Sequence, residues 1–176
     1  MNALIFPLAL MQAVSSQPAQ PAPSPPTPCA SEEHSAFDFW VGEWDVYPNG
    51  RDTKVADSKI EKLYSDCAIR ENWMPLRGGG GGSLSNLDPD TGRWHQTWIG
   101  GGPGRVEFEG GTAGESTMVL VGYWPNVNGP GQHAKVRMTY TVQDDGAVRQ
   151  HGEASTDHGL TWTNSFDFIY RRKPKD

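Results

Sequence analysis

A few polar side chains fall where the surrounding pattern is apolar, and these residues have the chemistry that a functional site needs. Glu71 shares one face of an alternating segment with Ile69 and Trp73, because successive side chains of a strand point to opposite faces. A carboxyl group among apolar neighbours is desolvated, which raises its pKa and lets it accept or donate a proton near neutral pH. Glu71 is therefore the candidate catalytic residue.

Three amides and one guanidinium occupy comparable positions, namely Gln96, Gln150, Asn164 and Arg137. Each amide alternates with apolar side chains and so shares their face of the strand. Arg137 lies on a segment whose two faces both fit an interior, and the sequence leaves open which of them is the inner one. A polar group buried without a partner costs about 1–3 kcal/mol, so these side chains must bond to one another or to a ligand.

These residues have two interpretations. The first is structural: an internal Glu–Arg and amide network fixes the register of the strands. The second is a small cavity with aromatic walls and a few convergent polar groups, which is the usual composition of a ligand site. The predicted ligand-binding residues are Glu71, Trp73, Trp94, Gln96, Trp98, Arg137, Gln150 and Asn164, with Trp162 as a further wall.

Three functions fit this set of residues. The leading hypothesis is a protein that holds a small, partly apolar molecule by stacking it on indoles and bonding it to amides. The alternative enzyme is a cofactor-free isomerase, cyclase or lyase, in which Glu71 is the acid–base group and Arg137 or Gln96 stabilises developing charge. The third function is a structural or interaction module with a packed interior.

Other classes of function lack their residue patterns. The five histidines show no His-x-His or His-x-x-x-His spacing, so the sequence predicts no metal site. The glycine run 78–82 lacks the lysine and helix of a phosphate-binding loop, and no cofactor is predicted. A net charge of −6 argues against a nucleic-acid partner, because such partners are held by clustered basic side chains.

The elements that must position these side chains are strands. From residue 43 onward, short alternating segments are separated by clusters of Gly, Asn and Asp, and no window has a sustained helical stripe. About ten strands with short connections favour a closed, antiparallel, up-and-down β-barrel, because closure removes exposed strand edges. A short helical turn is expected at 35–41. The predicted strands are 43–47, 54–64, 67–74, 82–87, 93–99, 105–109, 116–124, 135–142, 147–155 and 161–171.

The first residues predict export to the periplasm or the exterior. Residues 1–31 carry no charged side chain, and 3–14 form an apolar run of signal-peptide length that is too short to span a bilayer. We therefore expect a signal peptide at 1–16, a proline-rich linker at 17–34 and one barrel domain at 35–173. No membrane span is predicted.

The two cysteines, Cys29 and Cys67, fit an exported protein with one disulfide bond. Such a bond would join the end of the linker to an early strand. The alternative is that Cys67 is a small buried side chain and that Cys29 is free in the tail.

The start of the first strand, Gly42-Glu43-Trp44, resembles the Gly-x-Trp motif of lipocalins and fatty-acid-binding proteins. That resemblance implies a tryptophan that closes one end of the barrel and a basic residue near the last strand that covers its ring. In this sequence the basic residue would be Arg171 or Arg172. The motif would then be structural, with Gly42, Trp44 and Arg171 as its members.

The segment 155–162, Ser-Thr-Asp-His-Gly-Leu-Thr-Trp, resembles the Asp-box hairpin that sialidase propellers repeat. In that hairpin the aspartate, here Asp157, accepts backbone N–H bonds, and the tryptophan, here Trp162, packs beneath the turn. Both roles are structural. Because a single copy cannot form a propeller, glycosidase activity is not implied.

The order of segments over residues 37–172 resembles an uncharacterised family of bacterial exported lipocalin-like proteins. The opening box Phe-x-Phe-Trp-x-Gly-x-Trp at 37–44 and the single Asp box carry this likeness, together with Glu-Asn-Trp at 71–73 and Trp-His-Gln-x-Trp at 94–98. The resemblance implies the barrel and the compartment. It implies no established activity.

Overall fold

The computed structural model describes residues 28–127 and 129–174. The predicted signal peptide at 1–16 and residues 17–27 of the predicted linker lie outside the described residues. A four-residue helix, α1 (Glu32–Ser35), precedes a 3₁₀ turn (Asp38–Trp40) and ten strands. The strands are β1 (Gly42–Pro48), β2 (Ala56–Leu63), β3 (Ala68–Pro75), β4 (Gly81–Asp88), β5 (Arg93–Ile99), β6 (Val106–Thr112), β7 (Thr117–Trp124), β8 (Ala134–Val142), β9 (Val148–Ser155) and β10 (Thr163–Arg172).

The ten strands form one closed antiparallel barrel, as the sequence predicts. Each strand pairs with its neighbours in the sequence, and β1 pairs with β10 to close the sheet. Short connections produce this order because an antiparallel pair needs only a turn between its strands. Alternation along each strand then separates a buried inner row from a polar outer row, as in β8, where every second residue from Ala134 to Tyr140 is buried.

The last strand begins later than the pattern predicts, at Thr163 instead of Thr161. The Asp157 carboxylate accepts hydrogen bonds from the Thr161 backbone N–H at 2.9 Å and the Thr161 hydroxyl at 2.6 Å. These bonds hold Thr161 in the turn, and they keep the pKa of Asp157 well below its usual range. The Trp162 indole donates to the Gly159 carbonyl at 3.1 Å. This segment therefore forms a compact hairpin loop.

The residues before β1 close one end of the barrel. Ser31 caps α1, because its hydroxyl accepts from the His34 backbone N–H. The chain then turns so that Phe37 and Trp40 are fully buried, with their rings stacked at a centroid distance of 5.0 Å. The 3₁₀ turn at 38–40 lies within the helical turn that the sequence predicts at 35–41, and α1 precedes it. We call Phe37, Trp40 and Trp44 the aromatic plug.

The third member of the plug, Trp44, is also fully buried, and its indole N–H donates to the Trp40 carbonyl at 2.9 Å. The guanidinium of Arg172 lies 4.3 Å from its ring centroid, which is a cation–π arrangement. Arg172 covers Trp44 because the two residues face each other in the β1–β10 register. Arg171, one residue earlier, faces the outside, where it lies over Tyr47 and pairs with Asp52.

A disulfide bond joins Cys29 to Cys67, with 5.0 Å between their Cα atoms. Cys67 lies in the loop after β2, next to three residues with positive φ angles, Tyr64, Ser65 and Asp66. The bond therefore fixes the N-terminal segment to the plugged end of the barrel. Among the described residues, no helix is long and apolar enough to cross a bilayer.

Candidate functional site

The barrel interior holds a cavity of about 320 Å³ at the end opposite the aromatic plug. Strands β3, β5 and β7 run toward this end, and each contributes an inward tryptophan near its last residues: Trp73, Trp98 and Trp124. Strand β10 starts at the same end and contributes Phe166 and Phe168. These five rings are only partly buried, so they form the rim of the cavity.

The floor of the cavity is formed by side chains that lie deeper in the barrel. Phe108, Met138, Tyr140 and Tyr170 are all buried, and all four line the cavity. The ring of Trp40 lies beneath the two tyrosines, with centroid distances of 4.9 Å to Tyr140 and 6.1 Å to Tyr170. The aromatic plug therefore supports the floor of the cavity directly.

Glu71 is the acidic residue that lines the cavity, and its side chain is almost completely buried, with 4% of the residue exposed. Its Oε1 accepts from the Ser58 hydroxyl at 3.0 Å, and its Oε2 accepts from the Ser83 hydroxyl at 3.4 Å. Ser83 faces Glu71 directly in the β3–β4 register. Burial raises the pKa of Glu71 from 4.5 to about 7, although hydrogen bonds from both serines and Tyr170 partly offset the shift.

Hydrogen bonds connect Glu71 with the other polar groups of the floor. The Tyr170 hydroxyl lies 3.3 Å from Glu71 Oε1 and 2.7 Å from Gln150 Oε1. The Nε2 group of Gln150 donates to the Tyr140 hydroxyl at 3.0 Å. Beside them, Gln96 donates from Nε2 to the Ser85 hydroxyl at 3.0 Å, across the β4–β5 register. The polar groups of the floor thus hold one another in fixed orientations.

The hydroxyl group of Tyr170 has a single hydrogen for its two acceptors. The shorter contact, to Gln150, takes that hydrogen with the better geometry. When Glu71 is protonated, its own O–H supplies the hydrogen for the 3.3 Å contact, and the network is complete. When Glu71 is ionised, it competes with Gln150 for the Tyr170 hydrogen. Burial therefore favours the neutral carboxyl group, and the hydroxyl contacts, which favour the anion, offset this effect only in part.

Five of the predicted ligand-binding residues line this cavity together: Glu71, Trp73, Gln96, Trp98 and Gln150. Trp94 also points inward but lies at the plugged end, where its ring packs against Phe37 at a centroid distance of 5.7 Å. The reason is its position along the strand, because β5 starts at the plugged end, and Trp94 is its second residue.

Arg137 lies on the outer surface, contrary to the interior placement considered for it. Its guanidinium pairs with the Glu153 carboxylate at 2.8 Å and stacks over the Trp162 ring at 4.4 Å. The inner row of β8 is instead the apolar one, which includes Met138 and Tyr140. The internal Glu71–Arg137 pair of the structural interpretation therefore does not form, and Trp162 is not a wall of the cavity.

Asn164 is exposed on the outer surface, where its Oδ1 lies 3.0 Å from His151 Nε2. A β-bulge explains this placement. In the β9–β10 register Asn164 faces Glu153 and Phe166 faces Gly152, so Ser165 is an extra residue in β10. The extra residue reverses the alternation, so that Phe166 points inward although it is two positions after the outward Asn164.

Part of the site is not predicted from the sequence. The missing residues are Ser58, Ser83, Phe108, Trp124, Met138, Tyr140, Phe166, Phe168 and Tyr170. Alternation could have identified some of them, because Ser58 shares its face with the apolar Ala56 and Ile60. The contacts across the barrel carry no local signal: Glu71 and Tyr170 are 99 residues apart in the chain.

The raised pKa of Glu71 predicts that its contribution to stability decreases as pH rises. Below about 4.5, the carboxyl is protonated in the folded and unfolded states, and the contribution is fully present. Between about 4.5 and about 7 only the unfolded state releases the proton, so the free energy of unfolding falls by about 3 kcal/mol. Above about 7 both states are ionised and the contribution is lost.

Urea unfolding of the wild type and of Glu71→Gln across this pH range measures the effect. The wild type should lose stability relative to Glu71→Gln as pH rises, because glutamine does not titrate. Glu109→Gln is the matched control, since Glu109 is exposed on the outer surface of β6. A constant difference between the wild type and Glu71→Gln across the range would show that Glu71 has an ordinary pKa.

Over residues 28–127 and 129–174, no group of three or more His, Cys, Asp or Glu side chains converges as the ligands of a metal ion would. No family model matches the sequence, and no curated protein matches it significantly.

Proposed function

We propose that this protein is an exported carrier that binds a small, partly apolar molecule inside its barrel. The observation that carries the proposal is the cavity of about 320 Å³, with aromatic rings at its rim and Glu71, Gln96 and Gln150 deeper in the barrel. Ligand sites have this composition, with apolar walls for affinity and a few placed polar groups for orientation. One water molecule occupies ~30 Å³ in the liquid. If each non-hydrogen atom of a ligand takes the same volume, the cavity holds a ligand of roughly ten such atoms.

The disulfide bond supports the exported location. Disulfides form and persist in oxidising compartments, and they are rare where cellular thiols are kept reduced. The Cys29–Cys67 bond follows the charge-free N-terminal stretch that resembles a signal peptide. The resemblance of the opening box to lipocalins agrees with a carrier, although a fold can serve many functions.

A fluorescent probe tests the proposal with a pair of glycine variants. A Cβ atom at Gly152 would lie 2.3 Å from the Phe166 ring, so Gly152→Val must push this ring toward the cavity that it lines. Gly111→Val is the control, because a Cβ at Gly111 meets nothing within 4 Å. We expect neutral 2-naphthol to bind the wild type and Gly111→Val with one affinity, and Gly152→Val about ten-fold more weakly.

Equal affinity for the wild type and Gly152→Val would place the probe outside the cavity and contradict the proposal. Absence of saturable binding to the wild type would contradict it as well. Circular dichroism of both variants establishes that each retains the barrel, so that a lost affinity reports on the cavity.

A proton-transfer enzyme is the second candidate function, and the raised pKa of Glu71 favours it. The enzyme hypothesis names Arg137 or Gln96 as the group that stabilises developing charge. Of these two, Gln96 lines the cavity, whereas Arg137 lies on the outer surface. The two functions differ in one respect. A carrier releases its ligand chemically unchanged, whereas an isomerase, cyclase or lyase releases a product.

A further inference from the structure

The cavity has an acidic group without a basic partner. Three hydroxyl groups, those of Ser58, Ser83 and Tyr170, reach the Glu71 carboxyl, and none of the described residues that line the cavity is Lys, Arg or His. A buried carboxylate is costly unless it is paired with a positive charge. The hydroxyl groups partly stabilise an anion here, but none of the cavity side chains within 28–127 and 129–174 supplies the countercharge.

Two arginines on strands that contribute to the cavity, one on β8 and one on β9, are engaged elsewhere. Arg137 pairs with Glu153 at 2.8 Å, and Arg149 pairs with Asp167 at 2.7 Å, in both cases on outward-facing positions of β8, β9 and β10. Arg137 faces Glu153 directly in the β8–β9 register, and Arg149 lies diagonally across from Asp167 on β9 and β10. Alternation directs both pairs away from the interior. Neither arginine can therefore neutralise Glu71 unless its side chain moves to the inner face of the sheet.

The walls around Glu71 are suited to a positive charge. Trp73 packs against Phe168 and Tyr170 at centroid distances of 5.6 Å and 6.3 Å, and Phe166 stacks on Phe168 at 5.7 Å. These rings form a continuous aromatic wall on two strands, and the faces of aromatic rings attract cations. Cages of aromatic rings bind organic ammonium groups in this way, and the Glu71 carboxylate adds an opposite charge.

We propose that the ligand of this cavity is a small organic cation, an ammonium group on an apolar skeleton, with the ammonium bonded to Glu71 and the skeleton against the aromatic wall. This inference rests on the proposed carrier function and names the chemical class of its ligand. An organic anion is disfavoured, because it would meet the Glu71 carboxyl and no basic side chain. The chain's net charge of −6 also attracts cations over long distances.

Proton release should accompany binding. The titratable groups that face Glu71 from the strands around it are Tyr140 and Tyr170, and burial raises the pKa of both hydroxyls, so they stay neutral. Glu71 is then the group that changes its charge, and a bound ammonium lowers the pKa of the carboxyl from about 7. Binding below pH 7 should therefore release a proton, and affinity for the cation should increase as pH rises toward 7.

Three probes on one skeleton test the proposal by isothermal titration calorimetry: 2-phenylethylamine, which is an ammonium at neutral pH, 2-phenylethanol and phenylacetate. We expect the amine to bind the wild type about ten-fold more tightly than the alcohol, since a charge-assisted bond replaces a neutral one. Phenylacetate should bind most weakly. In buffers of different ionisation enthalpy, the amine but not the alcohol should release a proton at a pH just below 7.

The isosteric variant Glu71→Gln should lose the preference for the amine and retain the affinity for the alcohol. Glu109→Gln, on the outer surface, should behave as the wild type does with all three probes. Retained alcohol binding also establishes that Glu71→Gln is folded, so a lost preference reports on the charge of Glu71.

The outcomes separate this inference from the carrier function. If the alcohol or phenylacetate binds as tightly as the amine, or if Glu71→Gln keeps the preference for the amine, the proposed cationic ligand is wrong. The carrier function is retained in that case, because the cavity still binds a small molecule. If no probe of this series binds at millimolar concentration but 2-naphthol does, the proposed cationic ligand is again wrong and the carrier function stands. If none of the four compounds binds, both proposals fail.

Discussion

Replacing Trp40 by alanine is expected to lower the free energy of unfolding by about 4 kcal/mol. The indole is fully buried, stacks on Phe37 and lies beneath Tyr140 and Tyr170. Its removal leaves a void between the aromatic plug and the floor of the cavity, and close-packed interiors relax only partly into such a void. Urea unfolding followed by circular dichroism measures the loss.

The same variant should also weaken ligand binding, because Tyr140 and Tyr170 lose the ring that supports them. Tyr123→Ala is the control: this ring is 58% exposed on β7, and its loss should change stability by less than about 1 kcal/mol. If Trp40→Ala costs no more than Tyr123→Ala, Trp40 does not fill the end of the barrel as described.

Removal of the Cys29–Cys67 bond is expected to cost a similar amount, about 4 kcal/mol. The bond closes a loop with a sequence separation of 38, and a cross-link of that length restricts the unfolded chain by about this free energy. The double variant Cys29→Ser, Cys67→Ser should therefore unfold at lower urea concentration than the oxidised wild type. The loss should appear mainly as stability, because neither cysteine lines the cavity.

The reductant dithiothreitol provides the internal control. It should bring the wild type to the stability of the double variant and leave the double variant unchanged. A thiol assay of the unfolded, unreduced protein should detect no free thiol. If that assay detects two free thiols, the disulfide bond does not form. If the oxidised wild type and the double variant are equally stable, the bond does not fix the N-terminal segment to the barrel as described.

Local alternation was sufficient to predict the barrel and the inward direction of Glu71, Gln96 and Gln150. Each of these residues lies in the middle of a strand without irregularity, where a side-chain period of two decides the face. The ten strands and their order followed from turn residues at regular intervals. These properties depend on residues close together in the chain, and a sequence contains them directly.

The parts that could not be predicted depend on geometry across strands. The bulge at Ser165 reverses the alternation before Phe166, and nothing in the residue pattern marks it, so alternation alone predicts that Asn164 shares a face with its apolar neighbours. Both faces of β8 fitted an interior, and only its pairing with β7 and β9 places Arg137 outside. Trp94 shares its face with Gln96 and Trp98, but its depth in the barrel depends on where β5 begins.

The Glu71 site illustrates the same limit. The sequence predicts the buried carboxyl group, and one of the two interpretations pairs it with Arg137. The structure gives it Tyr170 and two serines instead, from strands β10, β2 and β4. A barrel brings these strands together only when its sheet closes, so the partners of an inward residue follow from closure and register. This difference removes the internal ion pair and leaves the acidic cavity from which we infer the ligand.

Native mass spectrometry of the protein purified from its own host, with analysis of the extracted small molecules, tests the central claim most directly. The account predicts a fraction of protein with one additional small mass, which is released on unfolding and carries a basic nitrogen. Prior saturation with 2-phenylethylamine should displace it. Protein that is entirely free of bound small molecules, and that takes up none of the probes afterwards, would contradict the claim that the barrel is a ligand carrier.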